Sequence, residues 1–333
     1  MVCVHLPSLN GCELKQGMRI SPLHLPHLTL CCVDTQYPSL GFDAIQRTCA
    51  ELSFAEVIFF THPDFVLPPH TIKNLTVVTS EVIRNIEDYS RFMLKGLLSY
   101  VKSSHVLTIQ WDGFVIRPQA WRDQFLQYDY IGAPWPKKNG PWVGNGGFSL
   151  RSIKLLDALQ DRAITPKHPE DACICDQYRS YLEGVHHVLF APPDLADTFS
   201  FEFGKPHPQA FGFHGMSNFP KIMTSHELMS FVTLMPIGLV LNGYFRGFLL
   251  AAIALKNPAL QSLIEKKIST AIKRLGAGLH QREETYQLTK TLIKAGLHNL
   301  AAKMLRLKIN GEGWNKKNIQ LTVRFFLGFL YLR

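Results

Sequence analysis

The sequence lacks the signatures that settle a class at once. Across its 333 residues there is no GxGxxG dinucleotide fingerprint and no GxxxxGKS/T phosphate loop, which disfavours the two commonest nucleotide-cofactor folds. Its seven cysteines (Cys3, Cys12, Cys31, Cys32, Cys49, Cys173 and Cys175) are odd in number, irregularly spaced and without matched CxxC pairs. A disulfide framework is excluded on that pattern and a reducing compartment is expected, with Cys31 and Cys32 read as core. No low-complexity tract appears. The start, MVCVHLPSLNGCELKQ, has no charged n-region leading into an apolar stretch, so no secretory signal is expected and the expected location is the cytoplasm. The most apolar segment, 228–255, is interrupted by Pro236, Asn242 and Arg246 before about 20 clean apolar residues accumulate. A buried or interfacial helix pair is expected there rather than a span.

Acidic residues are also scarce, but only toward the C-terminus. Residues 1–217 hold 18 Lys and Arg against 21 Asp and Glu (−3), while 218–333 hold 17 against five (+12). Basicity confined to one region points to an anionic partner, for which nucleic acid and a membrane surface are the usual candidates, or to a solvated basic helix face; peripheral contact with an anionic membrane through 218–333 is expected, and nucleic acid is not. At 46% hydrophobic residues a chain of this length has ample core, and two domains are expected.

From about His27 to Phe213 short β-rich runs alternate with amphipathic helices, the mark of an α/β layer fold around a largely parallel sheet. The runs LTLCCVDT (28–35), AEVIFFTH (55–62), NLTVVTS (74–80) and SHVLTIQWDGFVI (104–116) read as strands. Helices are expected over 42–52, 88–103, from 153 and over 171–184, the last between Pro169 and Gly184. Beyond Asn218 the spacing turns helical, in two pieces over 226–255 and then 258–275, 283–308 and 316–331, with a weak hint of helix-hairpin repeats. The expected domains are therefore 1–217 and 218–333.

The chemistry gathers at four places. QWDG (110–113) ends a buried strand in an acidic residue, where sites form in open α/β sheets. Asp112 is the first candidate metal ligand, for Mg²⁺ or Mn²⁺, and Gln110, on the same side of the strand, the second; Asp-Gly is equally a hairpin dipeptide. VGNGGFSLR (143–151) has glycines that let backbone N–H groups approach a ligand, or is a plain loop. HPED (168–171) places Glu170 and Asp171 at a helix start, as favourable end charge or as a general base. FGFHG (211–215) offers His214, a ligand better suited to Mn²⁺ than to Mg²⁺, though a lone histidine is more often structural.

Taken in order, VLTIQWDGFVIRPQAWRDQFLQYDYIGAPW, VGNGGFSLRS, HPEDACIC, FAPPDLADTFSFE and FGFHG resemble a bacterial family of unknown function thought to be glycosyltransferases of the GT-A type. The resemblance covers about Leu28 to Gly215. It implies a GT-A (nucleotide-diphospho-sugar transferase, Rossmann-like) domain followed by an all-α C-terminal region, with a nucleotide-sugar donor and a glycan or glycolipid acceptor. Asp112 would then stand for the last Asp of a DxD metal motif and Gln110 for its first, a departure that shifts weight onto His214. Asp171 or Glu170 would be the base. Trp111, Gly113, Asn145, Gly146 and Gly147 would line donor and acceptor, Asp34 would meet the nucleotide base, and Arg91 its phosphates. Such an enzyme belongs to cell-surface polysaccharide synthesis at the inner face of a membrane. The rival expectations are a metal-dependent nucleotidyltransferase and a non-catalytic glycan- or nucleotide-binding module.

Overall fold

The computed structural model describes residues 22–136, 143–275 and 283–330. Cys3, Cys12 and the opening residues lie outside that range. The chain divides into two compact units, one running to Gly215 and one from Met216 onward.

The first unit is built on a six-stranded sheet in the order β3-β2-β1-β4-β6-β5. The strands are β1 (Leu23–Asp34), β2 (Leu52–Thr61), β3 (Leu75–Thr79), β4 (His105–Ile109), β5 (Tyr130–Gly132) and β6 (Phe148–Ser152). β1 pairs in parallel with β2 and β4, and β2 with β3, while β6 runs antiparallel to β4 and β5. The sheet is thus mixed, with a parallel heart. β1 is buried along its second half, as befits a strand covered on both faces. Its register with β2 shifts between Leu25 and Thr29, around Pro26, which has no N–H to give the ladder. Cys31 and Cys32 are buried there as free thiols, and burial pushes the Cys31 thiol up to about 12.

Chain order explains where a site forms. β1, β2 and β3 add successively in one direction, and β4 returns to the other side of β1. The crevice beyond the carboxyl ends of β1 and β4 is therefore the topological switch point of the sheet. Asp34 ends one of these strands and Gln110–Asp112 follow the other.

Helix α1 (Pro38–Cys49) joins β1 to β2 with Pro38 in its first turn. The helix expected over 88–103 is instead α2 (Ile86–Arg91), a π turn over Phe92–Gly96 and a 3₁₀ turn over Leu97–Tyr100. Asn85 caps α2 by accepting from the Asp88 N–H. α3 (Ile153–Ala158) follows β6, capped by Ser152. α4 (Glu170–Ala172) passes through a π turn to α5 (Arg179–Val185), and α6 (Pro193–Phe199) leads into β7 (Ser200–Phe201). β7 pairs in parallel with β8 (Gly212–Phe213), Phe201 beside Phe213.

The second unit is all-helical: α7 (Phe219–Ile222), α8 (Ser225–Leu234), α9 (Gly243–Ala254), α10 (Pro258–Leu275), α11 (Glu283–Lys294), α12 (His298–Glu312) and α13 (Lys316–Leu330). Thr224 and Glu227 form a capping box at α8. The single helix expected over 283–308 is two, because Gly296 takes a left-handed conformation (φ 73°) that closes α11. Lys256 (φ 53°) makes the same break between α9 and α10, so both hairpins turn through one left-handed residue. Among the described residues no helix is long and apolar enough to cross a membrane.

Candidate functional site

Beyond β4 the chain turns tightly, the Gly113 N–H donating to the Gln110 carbonyl at 3.0 Å. Hydrophobic residues on either side hold the turn: Ile109 is buried before it and Phe114 after it. Asp112 is thereby buried at 3% exposure. A carboxylate so placed needs a partner, and it has one in His214, whose Nε2 lies 3.3 Å from Asp112 Oδ1.

His214 is the hub. On its Nε2 side it meets Gln110 Oε1 at 3.1 Å as well as Asp112. The Gln110 amide is oriented by its own N–H donating to the Tyr89 hydroxyl at 2.9 Å, and burial keeps that phenol protonated. On the Nδ1 side stand Glu202 Oε1 at 3.3 Å and the Asn145 amide nitrogen at 2.9 Å. Burial is the largest single influence on the ring and favours its neutral form. The charges and hydrogen bonds of Asp112 and Glu202 together exceed it and hold the pKa well above the usual imidazole value.

Position in the sheet brings Glu202 and His214 together. Each follows one of the two parallel strands β7 and β8, so they sit side by side, and the His214 N–H donates to the Phe201 carbonyl at 2.9 Å. Glu202 escaped the sequence reading. Its signal was the kinship of FSFEF with FGFHG, each a charged or ionisable residue closing an aromatic alternation.

The glycine-rich turn packs directly against this hub. A Cβ on Gly147 would stand 2.1 Å from His214 Nε2, and one on Gly146 would stand 2.2 Å from Glu170 Oε1. Asn145 adopts a left-handed conformation (φ 61°), which asparagine tolerates better than most residues. Its Oδ1 accepts from the Phe148 N–H at 3.2 Å, and its amide nitrogen is the atom beside His214. The turn is also tied to HPED, since the Gly146 N–H donates to Asp171 Oδ2 at 3.0 Å.

Glu170 and Asp171 have different surroundings. Glu170 is buried and forms an ion pair with Arg151 at 3.3 Å, both side chains being almost wholly enclosed. Burial pushes its carboxyl up against the pull of Arg151. Arg151, on β6, also lies over the Tyr130 ring at 5.8 Å. Asp171 is half-buried and is the more accessible carboxylate of the two.

Asp34 lies across the switch point. Its Oδ1 accepts the N–H groups of Gln36 (3.1 Å) and Tyr37 (2.6 Å), whereas Oδ2 is buried with no hydrogen-bond partner among the described residues. Burial, opposed by those two N–H groups and assisted by the Asp112 charge, lifts its carboxyl to about 6. Tyr37 and Trp111 meet edge to face at 6.1 Å, an aromatic pair at the ends of β1 and β4.

The structure thus brings together Asp112, His214, Gln110, Gly113, Asn145, Gly146, Gly147, Glu170 and Asp171, with Asp34 and Trp111 at the crevice. Arg91 is not in the cluster. It is 70% exposed and pairs with Asp88 at 3.7 Å, because Tyr89 is the residue α2 turns inward and Arg91 is about 200° further round.

Asp112 Oδ1, Gln110 Oε1 and His214 Nε2 converge as one carboxylate, one amide oxygen and one imidazole nitrogen. Among the described residues no group of three or more His, Cys, Asp and Glu is disposed to hold a metal ion. The mixed set fits a divalent ion that completes its shell with water or phosphate oxygens, and its nitrogen favours Mn²⁺ over Mg²⁺.

The chain is similar over residues 73–214 to a family described as protein of unknown function (DUF5672). No curated protein matches it by sequence. Among solved structures it is similar to the mannosyltransferase PcManGT from Pyrobaculum calidifontis in complex with GDP-Man and Mn²⁺ (12% identity, TM-score 0.36, 96% of this chain and 92% of that one). It is also similar to the apo glycosyltransferase GlyE of Streptococcus pneumoniae TIGR4 (10%, 0.34, 57% and 54%). A third is a glycosyltransferase involved in glycosylation of the major capsid of PBCV-1 (13%, 0.33, 57% and 92%). Similarity at these levels says nothing of substrate, so the functional reading rests on the site itself.

Proposed function

We propose that the chain is a metal-assisted glycosyltransferase with a GT-A type domain, moving a sugar from a nucleotide-diphosphate donor to a hydroxyl of a glycan or glycolipid. The observation that carries this reading is the convergence of Asp112, Gln110 and His214 at the switch point of the sheet, backed by Glu202 and packed against a glycine-rich turn.

A divalent cation held by Asp112, Gln110 and His214 would neutralise the charge that develops on the departing diphosphate. The chain's own residues supply the rest. Glu202, accepting from the Nδ1–H, fixes the His214 ring from behind, so that Nε2 faces the crevice. Tyr37 and Trp111 offer aromatic surface to a base or sugar ring. Asp34 Oδ2, buried with no hydrogen-bond partner among the described residues, accepts a hydrogen bond from the donor nucleotide in this reading. Asp171 is the base in this reading, since Glu170 is enclosed with Arg151, and the Gly146 N–H orients the Asp171 carboxylate toward the turn that faces the sugar.

A second reading has one observation in its favour: a single carboxylate in the donor set suits a module that binds a glycan or nucleotide without turning it over. The test is donor binding by calorimetry and donor hydrolysis, with Mn²⁺ and a panel of nucleotide sugars, for the wild type and Asp112→Asn. Metal-dependent binding lost in Asp112→Asn supports the transferase. Metal-dependent binding without hydrolysis or transfer to any acceptor favours the module, and no metal-dependent binding of any donor overturns the proposal.

A further inference from the structure

The last helix of the second unit carries an apolar face turned away from its own core. α13 packs on α11 and α12 through Asn318 and Leu321, both buried. On the opposite side Ile319 (47% exposed), Val323 (52%), Phe326 (63%) and Leu327 (45%) stand in one row. Their spacing of four, three and one residues keeps them within about 100° of the helix circumference. Trp314, 64% exposed, precedes the helix at the same end. Isolated exposed hydrophobics are ordinary, but a continuous row with a tryptophan is not.

Two cations flank this row. Lys316 lies on the row at its N-terminal end and Arg324 along its edge, both exposed, and neither has a carboxylate partner among the described residues. Of the five acidic residues beyond 218, four are engaged. Glu227 closes the α8 cap, Glu265 accepts from Gln261 at 2.9 Å, Glu283 pairs with Lys317 at 2.7 Å and Glu312 with Lys308 at 3.2 Å. The net +12 of this region is therefore carried by cations that its carboxylates do not neutralise. Exposed Lys266, Lys273, Lys290, Lys294, Lys303 and Arg306 add to it.

We infer that the outer face of α13 is a docking surface for an anionic phospholipid bilayer, the helix lying in the plane of the headgroups. Ile319, Val323, Phe326 and Leu327 enter the acyl boundary, and Trp314 sits at the interface. Lys316 and Arg324 meet lipid phosphates, and the net positive charge of the unit draws it to the surface. An apolar row with aromatic residues, edged by Lys and Arg, is the pattern of interfacial helices, and positive charge near the surface strengthens binding to acidic lipids and makes it salt-sensitive. This inference does not depend on the transferase reading.

The test is co-sedimentation of the full chain with vesicles of phosphatidylcholine alone or mixed with phosphatidylglycerol, alongside sedimentation velocity without lipid. The wild type is expected to bind the mixed vesicles, to bind phosphatidylcholine weakly, and to dissociate as salt rises. Phe326→Asp and Lys316→Glu/Arg324→Glu, all exposed positions, are each expected to weaken binding about tenfold or more with an unchanged circular dichroism spectrum. Wild type that fails to bind the mixed vesicles overturns the inference, as does Phe326→Asp that binds as wild type. If Phe326→Asp instead turns a wild-type dimer into a monomer and leaves vesicle binding intact, the face belongs to a second copy and the inference falls.

Discussion

Glu202 stands 3.3 Å from Nδ1 of His214 because the two residues directly follow neighbouring parallel strands paired in register, Phe201 beside Phe213. A carboxylate behind an imidazole sets which nitrogen carries the proton and how the ring is turned, and removing such a partner from a metal-binding histidine typically costs about 10–100-fold in affinity. Glu202→Gln keeps the size and loses the charge. It is expected to weaken Mn²⁺ binding by about that factor in a calorimetric titration. An unchanged affinity would remove His214 from the metal site or Glu202 from its support.

The glycine-rich turn makes a sterically sharper case. Since a Cβ on Gly147 would stand 2.1 Å from His214 Nε2, Gly147→Ala has to displace the ring or the turn. Overpacking of this kind costs about 1–3 kcal/mol. The expected outcome is a modest drop in melting temperature together with loss of donor binding. Gly204→Ala is the contrast, because nothing lies within 4 Å of its added Cβ; its left-handed backbone (φ 78°) is strained by the change, so it loses stability without losing donor binding.

Sequence pattern showed much of this site because a carboxylate at the end of a buried strand cannot be explained by packing, and Asp112 stood out for that reason. Asp34 also ends an apolar run, but its place in the site came only from the family resemblance. Arg151 did not stand out, because in FSLRS an arginine three residues from Phe148 and next to Leu150 reads as an outward position, whereas all of β6 is buried. Glu170 and Asp171 are adjacent, and residues about 100° apart on a helix point to different places. Only the tertiary structure could send one to Arg151 and the other to Gly146. Arg91 shows the converse: its type suited a phosphate, but the phase of α2 was set by Tyr89.

The enclosed pair of Arg151 and Glu170 is expected to behave asymmetrically. Arg151→Met leaves Glu170 buried without its counter-charge, a change that typically costs about 3–5 kcal/mol. Replacing both, Arg151→Met with Glu170→Leu, removes the unpaired charge and recovers most of that loss. Urea unfolding of the single and double variants checks this. A double variant as unstable as the single would mean that Arg151 acts mainly by holding the Gly146 carbonyl, 3.5 Å from its guanidinium.

Asp34 gives the pH dependence. Its carboxyl is raised from 3.8 to about 6 in the folded chain, chiefly by burial, so the folded state holds this proton more tightly than the unfolded state does. The stability it contributes is fully present below 3.8 and is lost as pH rises to about 6. A shift of that size corresponds to about 3 kcal/mol. Asp34→Asn keeps the shape without the titration, so urea midpoints measured across this interval are expected to fall with pH more steeply for the wild type than for the variant. Parallel slopes would mean that Asp34 is ionised at no cost, with a solvent path to Oδ2. The same carboxylate, whose Oδ2 has no partner among the described residues, gains most from a ligand that donates to it. Saturating donor and Mn²⁺ are therefore expected to flatten the wild-type slope toward that of Asp34→Asn, and an unflattened slope would remove Asp34 from the proposed donor site.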